Sequence, residues 1–309
     1  DDIKELDVSF KRLTEGMWEA IGDLSALEKL YASSNALTAL PASVCRLQML
    51  KELHVGDNQL TVLPEAVGDL SALEELIAVD GDWVPSAPET SLYLRPFMFA
   101  KEAFLGVRAA KKVAYYVIAS PAGAYFKGGV TPVSIWLSED YSRAGKGGTG
   151  AAKTGGNYAS SLLPQSEAYE NECDQVVFLD QDGNVEELGG MNIVFVFKDG
   201  TVVTPQSDSI LEGITRDSIL QLAADRGHKI EGRAASIDEW RSGVASGDIV
   251  EVFACGTAAV VAPIGVLKGR DFVDEQPLGP LAQSLRDELT DIQYGRREDT
   301  HGWMLRLDD

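Results

Sequence analysis

The sequence predicts an α/β domain preceded by a short, repetitive solenoid. Two observations carry this. Residues 3–79 repeat a leucine pattern with a period of about 23 residues. From Ser91 onward, runs rich in β-branched and aromatic residues alternate with amphipathic stretches, a mixture that requires strands and helices in one domain.

In the first segment Leu24, Leu27 and Leu30 recur as Leu47, Leu50 and Leu53, and again as Leu70, Leu73 and Leu76. Asn35 and Asn58 sit where a leucine-rich repeat places an asparagine to satisfy backbone groups at its turn. Leu37 and Leu40-Pro41, then Leu60 and Leu63-Pro64, complete each unit, and a degenerate unit runs from Ile3 to Asp23 with Lys11 at the asparagine position. Recurrent prolines and a non-helical leucine spacing exclude one long amphipathic helix. Residues 1–80 are therefore expected to be a leucine-rich repeat segment, a marginal solenoid because few repeats stack. Residues 81–88 form the linker, and residues 81–309 make the second domain.

In that domain Val113–Ser120, Pro132–Leu137, Gln175–Leu179, Ile193–Lys198 and Thr201–Thr204 read as strands, several joined by Asp-Gly turns. Helices are predicted over Ala159–Glu170, Asp217–Arg226, Ile237–Gly243 and Leu278–Ile292, with Gly227 ending the second.

The chain has 309 residues, 45% apolar and 24% charged, enough for about two domains with a sizeable core. A net charge of −21 argues against general affinity for nucleic acid or anionic membrane. Cys45, Cys173 and Cys255 show no CxxC spacing, and His54, His228 and His301 form no local metal motif, so neither a disulfide framework nor a metal is expected. No apolar run reaches the roughly 20 residues of a membrane span. The chain begins Asp1-Asp2 without methionine, which is expected of a fragment or processed chain, and any targeting peptide would lie upstream. A cytoplasmic or organellar location is expected.

The run from Gly147 to Tyr158 holds one lysine, Lys153, between the pairs Gly147-Gly148 and Gly155-Gly156. Glycines let a backbone close on a bound group. A lysine cramped there loses solvation, which favours the neutral, nucleophilic amine. A solvated surface loop fits the composition equally well.

The stretch KGGTGAAKTGGNYASSLL (residues 146–163) resembles the region around the cofactor lysine of branched-chain amino acid aminotransferases, which use pyridoxal phosphate. The likeness continues from Asp82-Trp83-Val84-Pro85 through SLYLRPFMF, SPAGAYFKGG, ELGGMN, LEGITRDS, CGTAA and DIQYGR to DTHGWM, roughly three-quarters of the chain. It implies the large domain of the fold-type IV aminotransferases, branched-chain transaminase activity with 2-oxoglutarate, pyridoxal 5'-phosphate as cofactor, amino acids and 2-oxo acids as partners, and a homodimer.

By motif position Lys153 is the catalytic lysine that holds the cofactor; Lys127 and Lys146 are its local competitors. The resemblance gives Glu187 to the pyridine nitrogen, leaving Glu186 on the opposite face of an extended segment. It gives Tyr158 to the phenolic oxygen and Ile214, Thr215 and Thr257 to the phosphate, with Arg143 as a further phosphate contact. Thr215 also suits a helix cap, and free N–H groups at such a helix start bind phosphate. Tyr93 maps to the substrate side-chain pocket, Ala258 to the substrate carboxylate, and the segment containing Phe104, Leu105, Gly106 and Val107 to the neighbouring subunit's pocket.

The sequence also departs from the family. Nothing in residues 1–80 matches its smaller N-terminal domain, which supplies another phosphate-binding arginine and a lid. Ala259 and Ala262 stand where some animal members carry a redox pair of cysteines, so that switch is not expected. Two other readings stay open: a leucine-rich repeat interaction protein, with a protein partner for the repeats and an impaired transaminase domain, and a fusion of unrelated coding pieces.

Overall fold

The computed structural model describes residues 3–11, 13–37, 40–50, 52–55, 75–77, 85, 87, 90–103, 105–111, 113–123 and 131–304. Asn58, the residues 81–84 of the linker, Phe104 and Lys127 lie outside them. By contacts the chain divides into Asp1–Ala124 and Tyr125–Asp309, a boundary well after residue 80.

The first unit contains β1 (Glu5–Asp7), α1 (Glu15–Gly22), β2 (Lys29–Tyr31), β3 (Glu52–His54) and β4 (Glu75–Ile77). The four strands form one parallel sheet in chain order. Leu6 pairs with Leu30, Leu30 with Leu53, and Leu53 with Leu76, so the last two steps are each 23 residues long. Leu27, Leu30, Leu47, Leu50 and Leu53 are wholly buried, as expected where each strand stacks its leucine on the next. Asn35 is buried too, and its Nδ2 donates to the carbonyls of Val8, Ala32 and Ser33 at 3.0, 2.9 and 3.1 Å. The helix α1 was not foreseen in the degenerate first unit.

The strands β5 (Ser91–Ala100) and β6 (Val113–Ala122) form an antiparallel hairpin. Among the described residues they pair only with each other. Grouping by contacts places the hairpin with the first unit, whereas a single compact unit from about residue 82 was expected. The physical reason is that neither strand joins the ladder of the second unit.

That ladder comprises β7 (Val133–Ser138), β8 (Gln175–Leu179), β9 (Val185–Leu188), β10 (Asn192–Phe197), β11 (Thr201–Pro205), β12 (Lys229–Arg233), β13 (Ile249–Gly256), β14 (Val260–Gly269) and β15 (Phe272–Glu275). Its order is β12-β11-β10-β13-β14-β7-β8-β9, with β15 on β14. The two ends of this order meet. Asn184 bridges Ser236, and Val185 N–H donates to Ala235 O at 2.8 Å, so the sheet curls on itself. Val185, Leu188, Phe195, Val203, Trp240 and Ile264 fill the interior. Gly183 and Gly200, in the two Asp-Gly turns, have φ of +81° and +88°, where a Cβ would be strained.

Helix α2 (Gly155–Glu170) covers β7 and β8, while α3 (Ile214–Asp225) and α5 (Pro280–Gln293) cover a second apolar face; α4 (Ile237–Ser246) lies against β13. Two caps fix these helices. Ser236 Oγ accepts from Glu239 N–H at 3.0 Å at the start of α4. Glu251, buried on β13, accepts from the N–H groups of Leu281 and Ala282 at 3.0 and 2.7 Å. A Cβ on Gly279 would lie 2.4 Å from Glu251 Oε2, so a larger residue would push the carboxylate off the cap. Burial pushes the Glu251 carboxyl above its usual range, and the two N–H donors oppose this. Glu251→Ala strands both donors and should cost about 2 kcal/mol in urea unfolding. An unchanged urea midpoint would show that the cap is idle.

Candidate functional site

One polar cleft of the second unit gathers residues widely separated in sequence: Arg143, Lys153, Tyr158, Glu187, Asn192, Ile214, Thr215 and Thr257 all line it. The curled sheet explains the convergence. Glu187 comes from β9, Asn192 from the adjoining start of β10, Thr257 from the turn between β13 and β14, and Ile214 and Thr215 from the start of α3. The loop of residues 145–154 supplies Lys153, and the first turn of α2 supplies Tyr158.

Lys153 Nζ donates to Tyr158 Oη at 3.0 Å. The loop is held by Asn157, which is buried and donates to the carbonyls of Thr149 and Ala152 at 2.7 and 2.9 Å. The glycines do not cramp the lysine. Lys153 is exposed, and a Cβ on Gly147, Gly155 or Gly156 would meet nothing within 4 Å. The tightest position is Gly150, where a Cβ would fall 2.2 Å from Ser209 O; on Gly148 it would lie 2.8 Å from Gly145 O.

Glu187 is 4% exposed, and its carboxyl is pushed up to about 7 by burial, against the opposing pull of Arg143. Its Oε1 pairs with Arg143 Nη2 at 2.7 Å and accepts Leu211 N–H at 3.0 Å. Asn192 Nδ2 reaches its Oε2 at 3.2 Å. Arg143, expected as a phosphate contact, is instead engaged with this carboxylate and with the carbonyls of Gly150 and Ser209. A guanidinium that is 5% exposed needs such partners.

The cap of α3 is Gly213, not Thr215, and it makes no side-chain cap bond. Asp217 N–H closes the first turn onto Gly213 O, so the N–H groups of Ile214, Thr215 and Arg216 precede the helical ladder. Gly213 packs closely on Asn192: a Cβ there would lie 2.3 Å from Asn192 Oδ1, so the amide would have to shift. Here the cleft presents a hydrogen-bonding concavity for an anion.

Not every expected residue is in the cleft. Ala258 follows Thr257 in an exposed turn and does not line it. Tyr93, on β5, and Leu105 and Val107, both fully exposed between β5 and β6, belong to the first unit. Lys146 is exposed and outside the cleft lining. Glu186, expected on the opposite face of the segment from Glu187, is 3% exposed because both sides of β9 are covered. Asn192 and Leu211 had been given no role. Asn192 stands in the quoted ELGGMN motif, but the Leu211 N–H leaves no side-chain signal.

Residues 70–266 match the family model described as Amino-transferase class IV. The chain belongs to the class IV aminotransferases. It is 57% identical over 242 residues to a branched-chain-amino-acid aminotransferase of Mycolicibacterium smegmatis, covering 75% of this chain and 66% of that one. The chain thus spans 66% of the length of that curated relative. A branched-chain aminotransferase from Thermoproteus uzoniensis, solved with norvaline, superposes with a TM-score of 0.61 at 28% identity, covering 69% of this chain and 68% of that one. A branched-chain amino acid aminotransferase from Escherichia coli gives 0.58 at 31% identity, covering 71% and 70%. Another solved branched-chain amino acid aminotransferase, with pyridoxamine 5'-phosphate bound, gives 0.61 at 32% identity, covering 70% and 69%.

The cleft of this class IV aminotransferase fits pyridoxal 5'-phosphate. It holds an amine beside a phenol, a buried carboxylate paired with an arginine, and a helix start after Gly213 whose first N–H groups precede the ladder.

Proposed function

We propose that this chain is a branched-chain amino acid aminotransferase, moving an amino group between leucine, isoleucine or valine and 2-oxoglutarate. The observation that carries this reading is the convergence of Lys153, Tyr158, Glu187 and the start of α3 on one cleft. The relatives bearing that name, and the phosphopyridoxyl compounds bound to one solved neighbour, support it.

When bound, pyridoxal 5'-phosphate supplies an aldehyde and an electron-withdrawing ring. Lys153 Nζ would hold it covalently and, once displaced by the substrate amine, would be free to carry the proton removed from the substrate Cα. Tyr158 Oη, 3.0 Å from that amine, would orient it and serve the phenolic oxygen. Glu187 would serve the ring nitrogen and keep a proton there, its carboxylate fixed by Arg143, Leu211 N–H and Asn192. The Ile214 and Thr215 N–H groups would hold the phosphate, with Thr257 as a further wall.

We propose further that residues 1–80 are a leucine-rich repeat segment with a protein partner. The 23-residue parallel register and the three bonds of Asn35 support this. The chain acts as a homodimer in which Leu105 and Val107 reach the neighbouring subunit's pocket, a role their full exposure suits. The aminotransferase domain is assigned residues 81–309 by sequence, with the β5–β6 hairpin grouped by contacts with the first unit.

Purification with pyridoxal 5'-phosphate, a visible spectrum and a leucine/2-oxoglutarate assay test the reading. A visible band and measurable transamination are expected. Absence of both band and turnover would overturn it.

A further inference from the structure

Behind Glu187 lies a second carboxylate that the chemistry above does not use. Glu186 is buried, and its Oε1 accepts from Ser209 Oγ. Its Oε2 has no partner among the described residues, an unusual cost for a native interior.

The Ser209 hydroxyl has one hydrogen, and Glu186 takes it. Ser207 Oγ, 2.8 Å away, must then donate to Ser209 Oγ while accepting Ser209 N–H at 3.2 Å. The Ser209 carbonyl accepts from Arg143 Nη2, the same nitrogen that pairs with Glu187 Oε1 at 2.7 Å. Two residues on, Leu211 N–H donates to that same Oε1, and Leu211 O accepts from Asn192 Nδ2 at 2.9 Å. The segment then enters α3 at Gly213. One short loop therefore fixes Glu187 from two sides and leads into the anion-binding helix start. Glu186 is the side-chain anchor that ties this loop to β9.

We infer that Glu186 and Ser209 are a positioning pair, holding the loop of residues 207–213 so that Arg143 and Leu211 N–H keep Glu187 ionisable at the ring-nitrogen position and the start of α3 stays in place. Its relevance to transamination rests on the proposed function. The geometry stands without it.

Charge and tether act on Glu187 in opposite directions, which makes the pair testable. Glu187 is faced by Arg143 and Glu186, by Arg216 from α3 and Cys255 from β13, with Lys153 across the cleft; Glu186 itself is faced by Arg143 and Asp180. Arg143 and the Leu211 N–H lower the Glu187 carboxyl, whereas the Glu186 charge raises it. Were Glu186 only a nearby charge, deleting it would move the Glu187 midpoint down. Were it the anchor, deleting it would move the midpoint up.

The experiment is a carboxyl-carbon NMR titration of Glu187 in the cofactor-free full chain, its signal assigned by loss in Glu187→Gln. Glu186→Ala and Ser209→Ala should each raise the midpoint by about one pH unit. Glu186→Gln, which still accepts the Ser209 hydroxyl, should not raise it. Ser209→Ala keeps both carboxylates and the Ser209 carbonyl, so it decides the matter if Glu186→Ala folds poorly. Titration with pyridoxal 5'-phosphate should also show about tenfold weaker binding for Ser209→Ala than for the unaltered chain. Midpoints unchanged or lowered in both alanine variants would overturn the pair. Failure of the unaltered chain to bind pyridoxal 5'-phosphate would overturn the enzyme reading instead, with the midpoints still deciding the pair.

Discussion

Lys153→Ala is expected to lose pyridoxal 5'-phosphate as a covalently held group and to lower transamination by about 10⁴-fold or more. The loss should be chemical, not conformational. Lys153 is exposed, and substitutions at such positions usually shift stability by about 0.5 kcal/mol or less. The loop is shaped by other groups: Asn157 binds the carbonyls of Thr149 and Ala152, and Gly150 closes on Ser209. Tyr158→Phe keeps the lysine and removes only its 3.0 Å partner, so a milder loss of about tenfold is expected. Borohydride reduction and peptide mapping should place the label on Lys153 in the unaltered chain and nowhere in Lys153→Ala. A label on Lys127 or Lys146, or turnover by the alanine variant within tenfold of normal, would remove Lys153 from its role.

Local chemistry alone left the lysine loop open to a solvated reading and the glutamate open to a hairpin charge. The family resemblance is what marked Lys153, Tyr158, Glu187, Ile214, Thr215 and Thr257 as one set, and all six line one cleft. Arg143 was misread because a loop arginine ten residues before the lysine looks free. Its partners, Glu187 and the carbonyls of Gly150 and Ser209, become neighbours only when β9 folds against the loop after β11. Glu186 was read only as facing away from Glu187; that its face is covered too follows from the curled sheet, which has no local marker in the sequence.

The fold divided along the same line. Strands with β-branched runs, such as Gln175–Leu179, were evident with their bounds. The pairing of Asn184 with Ser236, which curls the sheet, joins residues 52 apart and has no local marker. The first unit shows the converse. Its leucine period is plain in sequence and reappears as strand register, while α1 lies in a unit too degenerate to announce it.

Replacing Glu187 should have the second large effect, and its pH dependence carries a definite sign. In the folded protein burial pushes this carboxyl up to about 7, from an ordinary value of 4.5. The folded chain therefore binds a proton more tightly than the unfolded chain. Its contribution is fully present below about pH 4.5 and is lost as pH rises through about 7, on the order of 3 kcal/mol in all. The urea midpoint of the cofactor-free protein should fall across that window. Glu186 and Glu251 are shifted in the same direction, so the comparison with Glu187→Gln isolates this one group. That variant should flatten the slope and lower transamination by about 10²–10³-fold, since a neutral amide gives the ring nitrogen no charge partner. Glu187→Ala should be worse for folding, about 3–5 kcal/mol, because Arg143 is left buried without its carboxylate. The slope and the rate thus report one carboxylate in two ways. If Glu187→Gln retains the full slope, burial of this group is not its source; if it retains normal turnover, the ring nitrogen does not depend on Glu187.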